Sequence, residues 1–208
     1  MNRSSKLAFA AALLLPALAA AQDAAPQLQE DPRVARFNDV ERGWFLGFEA
    51  GYLHLLDTPT DDPASFPYAG ESGGPANGMV VGAQFGRDLG SRVSLALFAQ
   101  GGNAHASADY GAFSLYSFGL DARVALFGAR DRNDWERFFF YLHARGGYAL
   151  TYPEGLFGTN DIVVQGGPGI EYYTKLRHFS VGLAADYVRA LTAGANGFSV
   201  YPTVRYTF

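Results

Sequence analysis

The chain has 208 residues, of which 49% are hydrophobic, 15% aromatic and only 17% charged, with 25 glycines and no cysteine. Its length suits one domain, but so little charge suits solvation on all sides poorly; the lack of cysteine excludes disulfides, thiolate metal sites, a cysteine nucleophile and a lipidated N-terminal cysteine. A formal net charge of −4 with scattered Lys and Arg argues against a nucleic-acid partner, which would select a basic patch.

Residues 1–21 have the order of a secretory signal peptide. Arg3 and Lys6 precede the apolar run Leu7–Ala21, which Pro16 interrupts and the small residues Ala19, Ala20 and Ala21 close. The run is shorter than the roughly 20 residues a spanning helix needs, so export and cleavage near Ala21 are expected. Residues 22–42 read as a periplasmic linker with a short helix. Gln22–Glu30 is polar, Asp31 can cap, Pro32 suits the first helical position, and Val34, Phe37 and Val40 recur three apart before Gly43. No later window of 18 residues is continuously apolar, so a membrane-resident chain would have to span as strands.

From Trp44 the period changes to two. Trp44, Leu46, Phe48, Ala50 and Tyr52 alternate with Gly47, Glu49 and Gly51. Met79, Val81, Ala83 and Phe85 alternate with Gly82, Gln84, Gly86 and Asp88. Val93–Gln100 follows the same rule except for Phe98, which falls on the inner face. Tyr116–Leu126 sets Asp121 and Arg123 inward, and Phe140–Tyr148 sets Tyr141, His143 and Arg145 inward. Ile162–Tyr172 turns Gln165 and Glu171 inward, Phe179–Tyr187 turns Asp186, and Phe198–Phe208 turns Tyr201 and Arg205. These are eight strands of about 9–13 residues, the length that crosses a hydrocarbon layer when tilted, whereas soluble sandwich strands are usually shorter. The reading is an all-β, eight-stranded antiparallel up-and-down transmembrane barrel over residues 43–208.

Connection lengths support it. Leu56–Asn77 is long, and Asn103–Gly111, Thr151–Asn160 and Ala190–Gly197 are intermediate. At the other end Asp88–Arg92 and Thr174–His178 are short, with Gly128–Arg137 longer and charged. Aromatics collect at strand ends on the outward face. Tyr52, Tyr116, Tyr148 and Tyr187 form one predicted girdle at the lipid boundary; Trp44, Phe140, Tyr172, Phe179, Tyr206 and Phe208 form the other. From Trp44 to Tyr52 a tilted strand covers roughly 20 Å, about the height of the apolar band.

With this pattern, and with the alternating, Phe-terminated ending Val204-Arg205-Tyr206-Thr207-Phe208, the chain resembles small outer-membrane barrels of the OmpA/OmpW type. Thr203 stands where that family often carries glycine. The resemblance implies an outer-membrane location in a Gram-negative envelope, contact with lipid and lipopolysaccharide, and recognition of the C-terminal strand by the barrel-insertion machinery. A narrower resemblance is to CglE-type proteins of the myxobacterial gliding-motility apparatus, through Asp39-Val40-Glu41-Arg42-Gly43-Trp44-Phe45-Leu46-Gly47. It implies adhesion or docking of motility or other envelope proteins.

An eight-strand lumen is just wide enough to be filled by side chains. Glu49, Asp121, Glu171 and Asp186 are predicted to face Arg123, Arg145 and Arg205 inside it, with His143, Gln84, Gln100 and Gln165. Unpaired charges there cost several kcal/mol, so a salt-bridged plug is expected in preference to an open pore. The loop residues Asp57, Asp61, Asp62, Phe66 and Tyr68 are candidates for docking a partner or saccharide. His105-Ala106-Ser107 resembles the His-x-Ser pair of outer-membrane lipid A deacylases, with Asp109 or Asp121 as the acid; the polar-loop reading is preferred, and no enzyme activity is expected. The OmpW resemblance leaves a conduit for small hydrophobic molecules as the other alternative. His54, His105, His143 and His178 lack metal-ligand spacing, Gly166-Gly167-Pro168-Gly169 lacks the Lys of a phosphate loop, and no cofactor is expected.

Overall fold

The computed structural model describes residues 40–56, 75–105, 112–130, 135–152, 160–176 and 178–208. Eight strands follow in chain order: β1 Trp44–Leu55, β2 Ala76–Leu89, β3 Val93–His105, β4 Ala112–Arg130, β5 Glu136–Tyr152, β6 Asn160–Tyr173, β7 Phe179–Ala190 and β8 Asn196–Thr207. Each pairs antiparallel with its neighbours in sequence, and β8 returns to β1, closing the barrel. Every strand then has a neighbour on both sides for its backbone donors and acceptors, the condition for lying in lipid. The seam is continued past the last strand residue by Phe208 N–H, which donates to Trp44 O at 2.9 Å.

Burial alternates along the strands, as period two requires, apart from the break at Leu126 and Phe127 in β4. In β1, Phe45, Gly47, Glu49 and Leu53 point to the lumen, while Trp44, Leu46, Phe48 and Tyr52 point out. The outward side is an oily belt: Phe48, Met79, Leu97 and Leu120 all leave more than half their surface uncovered by protein, Met79 reaching 68%. Apolar side chains left uncovered on every strand contradict burial in water-soluble packing and fit contact with hydrocarbon. Inverting the usual inside-out rule is the physical signature of the class.

The strands are longer than the sequence periodicity suggests, most of all β4 with 19 residues and β5 with 17. Residues 128–130 and 136–137, expected to be connection, belong to that hairpin, leaving 131–135 between the strands. The ladder is carried down by Phe127 stacked on Phe140 at 5.0 Å and by the cross-strand partners Arg130 and Glu136, with register shifts at Ala125/Phe127 and Ala129/Arg130. Charge in a sequence marks exposure to water, and a hairpin that outruns the oily belt supplies it without breaking the ladder. Residues 191–195, expected as an intermediate loop, form a compact turn; Gly194 sits there at φ 78° and Gly90 at φ 80° in the β2–β3 turn, both in the left-handed region. Across the β6–β7 seam, pairing lapses at Gly167 and Pro168, where proline has no N–H to offer. The signal peptide and most of the linker helix lie outside the described residues; Val40–Gly43 carries no helical turn.

Candidate functional site: the lumen

Every residue predicted for the lumen network faces inward, and the barrel joins them across strands distant in sequence. Glu49, Asp121, His143, Arg145, Glu171, Asp186 and Arg205 are buried, and Arg123 is largely so. Arg145 on β5 is the hub. Its Nη1 and Nη2 donate to Glu49 Oε1 and Oε2 on β1, both at 2.7 Å, and its Nε donates to Asp121 Oδ2 on β4 at 2.9 Å. Bidentate geometry of this kind is the strong form of an ion pair. Gln84 Nε2 donates to Glu49 Oε2 at 2.7 Å and Gln100 Nε2 to Oε1 at 3.2 Å, so the carboxylate is saturated from three sides. Gln165 Nε2 extends the chain to Gln100 Oε1.

His143 lies between two acids, Nε2 at 2.6 Å from Asp186 Oδ1 and Nδ1 at 3.5 Å from Asp121 Oδ1. Tyr201 Oη donates to the other oxygen of Asp186 at 2.7 Å. Toward the end that holds the short turns, Arg123 binds Glu171, whose second oxygen accepts from Ser180 Oγ at 2.6 Å. Arg205 pairs with Asp88. Guanidinium planes lie over aromatic rings as well: Arg123 over Tyr141 and Arg205 over Phe45, each 3.6 Å from the centroid.

The loop half of the lumen is filled differently. Leu53, Leu55, Val80, Phe113, Val163 and Val188, with the small residues Ala76, Ala104, Ala149 and Ala190, form a buried apolar cluster. Asp161 sits beside it and accepts backbone N–H bonds from Ile162, Thr192 and Ala193 at 2.6, 2.8 and 2.9 Å, tying the β7–β8 turn over the opening. The space lined by Arg123, His143, Arg145 and Arg205 measures about 30 Å³, room for a water or two. Among the described residues, ion-paired side chains fill one half of the lumen and apolar side chains the other.

Sequence reasoning misses three parts of this arrangement. Asp88 falls on the inner face by parity but outside the predicted network. Tyr141 and Tyr201 are turned inward by parity, but the charge contacts they bear are not anticipated. The apolar stopper is not anticipated at all. Its one available sign is that Leu53, Leu55 and Val80 fall on inward parity next to outward apolar residues.

The predicted girdle residues Trp44, Tyr52, Tyr116, Tyr148, Tyr172, Tyr187, Tyr206 and Phe208 are all outward and exposed. Tyr52 Oη donates to Asn77 Oδ1, and Tyr187 Oη to Asn196 Oδ1 at 2.5 Å. Phe179 and Tyr206 pack at 4.9 Å, and Trp44 stacks on Phe85 at 5.3 Å. Asp57, Asp61, Asp62, Phe66 and Tyr68 lie outside the described residues. So do Ser107 and Asp109; His105 ends β3 at the loop end, exposed, and Asp121 is held in the lumen by Arg145.

A closed ring of eight long strands, oily outside and ion-paired within, is the architecture of the small eight-stranded outer-membrane barrels. No protein-family model matches the chain, and no curated protein matches it in sequence. Among solved structures it is similar to Neisserial surface protein A (NspA), with 16% identity over 79% of this chain and 96% of that one and a TM-score of 0.56. It also matches the N-terminal β-barrel domain of Pseudomonas aeruginosa OprF, at 15% identity over 79% and 98% of the two chains with a TM-score of 0.48. The outer membrane protein OprG of the same organism matches at 15% identity over 81% and 95%, TM-score 0.46. At such identities the likeness concerns the fold. Nothing in these likenesses supports the narrower link to CglE-type proteins.

Proposed function

We propose that this chain is an outer-membrane barrel that does not conduct, acting as a rigid, non-enzymatic scaffold whose loops engage an adhesion target or an envelope partner. The observation that carries the reading is the double filling of the lumen: ion pairs centred on Arg145 in one half and apolar packing around Phe113 in the other. A fold filled across its whole width offers its exposed loops as the place for work. The turn end, where β1 starts and β8 finishes, faces the periplasm in this reading, because bacterial barrels keep short turns there and longer loops outside. The aromatic residues at the two strand ends then serve as the two lipid-boundary girdles, lipopolysaccharide surrounds the loop half, and β8 presents the terminal Phe208 to the insertion machinery.

Two measurements test it together. The purified chain in a planar bilayer should give no porin-like conductance, and deleting residues 57–76 should leave a folded barrel that no longer captures its partner from intact cells. Steady conductance of the wild-type chain, or capture unaffected by the deletion, would defeat the proposal. A lipid A that loses an acyl chain only when the protein is expressed would instead establish an enzyme.

A further inference from the structure

The outward face of β2 to β5 departs from the rest of the oily belt. One cross-strand row runs Trp44, Arg87, Leu95, Ala122, Ala144. Its first members are strand-end residues, Trp44 opening β1 and Arg87 two short of the end of β2; its last two sit in the middle of β4 and β5. The row therefore climbs from the turn-end boundary into the belt. On this face Ala122, Ala144 and Gly146 present almost nothing, and a Cβ added to Gly146 would meet only open space. Leu97 and Leu120 wall the depression, a shallow, open and overwhelmingly apolar concavity of about 860 Å³. That volume lies in the range of small-molecule sites.

The lower rim is charged. Arg87 lies with its guanidinium 5.5 Å from the Trp44 ring centroid, and among the described residues no carboxylate pairs with it. An arginine facing lipid at the water boundary, steadied on an indole and without a protein anion, matches the planar, two-point hydrogen bonding of a phosphate diester. Hydrocarbon cannot leave the depression void without losing dispersion contacts along its whole lining. Both ends thus ask for one molecule, acyl at the top and phosphate at the bottom.

We infer that this face is a binding site for a single glycerophospholipid, its phosphate on Arg87 and one acyl chain laid over Ala122, Ala144 and Gly146. The inference rests on the membrane-barrel reading above, which puts the turn end in the phospholipid leaflet. The probes are phosphatidylglycerol and a diacylglycerol with the same chains, which lacks the phosphate. Each is titrated into the full-length purified barrel in non-ionic detergent and counted by native mass spectrometry. One phosphatidylglycerol should bind about tenfold more tightly than diacylglycerol, the worth of a charge-assisted contact. Arg87→Gln should erase that preference while leaving diacylglycerol binding alone. Gly146→Leu, which fills the depression, should weaken both lipids. Val181→Leu, an outward substitution on β7, should change neither.

Equal binding of the two lipids, a preference that survives Arg87→Gln, or occupation of the face by a second copy of the chain would overturn the inference. Heat-modifiable electrophoretic mobility after insertion into vesicles separates the levels. A chain that fails to insert refutes the membrane reading and this inference with it, whereas a chain that inserts without selecting phosphate refutes the inference alone.

Discussion

Replacing Arg145 by methionine removes the centre of the lumen network while keeping an unbranched side chain in its place. Arg145 is 2% exposed and makes three charge-assisted bonds, two to Glu49 and one to Asp121. Both acids are themselves buried, and Gln84 and Gln100 would remain as neutral donors to Glu49. Desolvated carboxylates stripped of their counter-charge cost about 3–5 kcal/mol, and neutral amides recover only part of that. The cost is smaller when the pair is removed together. In Arg145→Met combined with Glu49→Gln, one buried charge of each sign disappears, and the loss should shrink to about 1–2 kcal/mol because only Asp121 is left short of a partner. Urea unfolding of the barrel in phospholipid vesicles, followed by the fluorescence of Trp44 and Trp135 and by the electrophoretic shift of the folded form, measures both. A single-variant loss below about 1 kcal/mol would mean that water reaches these carboxylates, and the plugged lumen would have to be abandoned.

The other predictions use the same unfolding assay. Phe113→Ala, in the apolar stopper and 2% exposed, should destabilise by about 3–5 kcal/mol through lost burial and the void it leaves; a loss under about 1 kcal/mol would show a loose, collapsible cluster. Asp161→Ala removes the acceptor of three backbone N–H groups, two of them at the β7–β8 turn, and should cost about 1–3 kcal/mol, with hydrogen exchange rising first at Thr192 and Ala193. Gly194→Ala places a side chain at φ 78° and should cost about 1–2 kcal/mol, although nothing crowds the added carbon; no effect would mean the turn readily adopts another conformation.

The strands are legible because lipid reads them as simply as a sequence can be read: Trp44, Leu46, Phe48 and Tyr52 out, Glu49 in. The same parity places all eight lumen residues inside. It cannot say which acid meets which base. Glu49 and Arg145 lie 96 residues apart and meet only once the stagger of the closed ring is fixed, a quantity set jointly by all eight seams. Hairpin length is underestimated where charge is taken for a turn, since Arg130 and Glu136 pair on a ladder that has left the belt. The apolar stopper is hidden for a different reason. Around Leu53 and Val80 both faces of the strand are greasy, one toward lipid and one toward the lumen, and a contrast between faces carries no signal when there is none.

The seam between β1 and β8 has a consequence for biogenesis. Phe45 pairs with Thr207, so the earliest and latest strands of the domain are mutual neighbours, and seven hairpin-linked strands leave two raw edges that hydrocarbon will not tolerate. No sub-assembly can therefore settle in the bilayer and wait for the remainder. On the proposed outer-membrane reading, the polypeptide must be kept soluble until its final strand has emerged, and anything that interrupts its export should yield a substrate for periplasmic proteolysis in place of a shortened barrel.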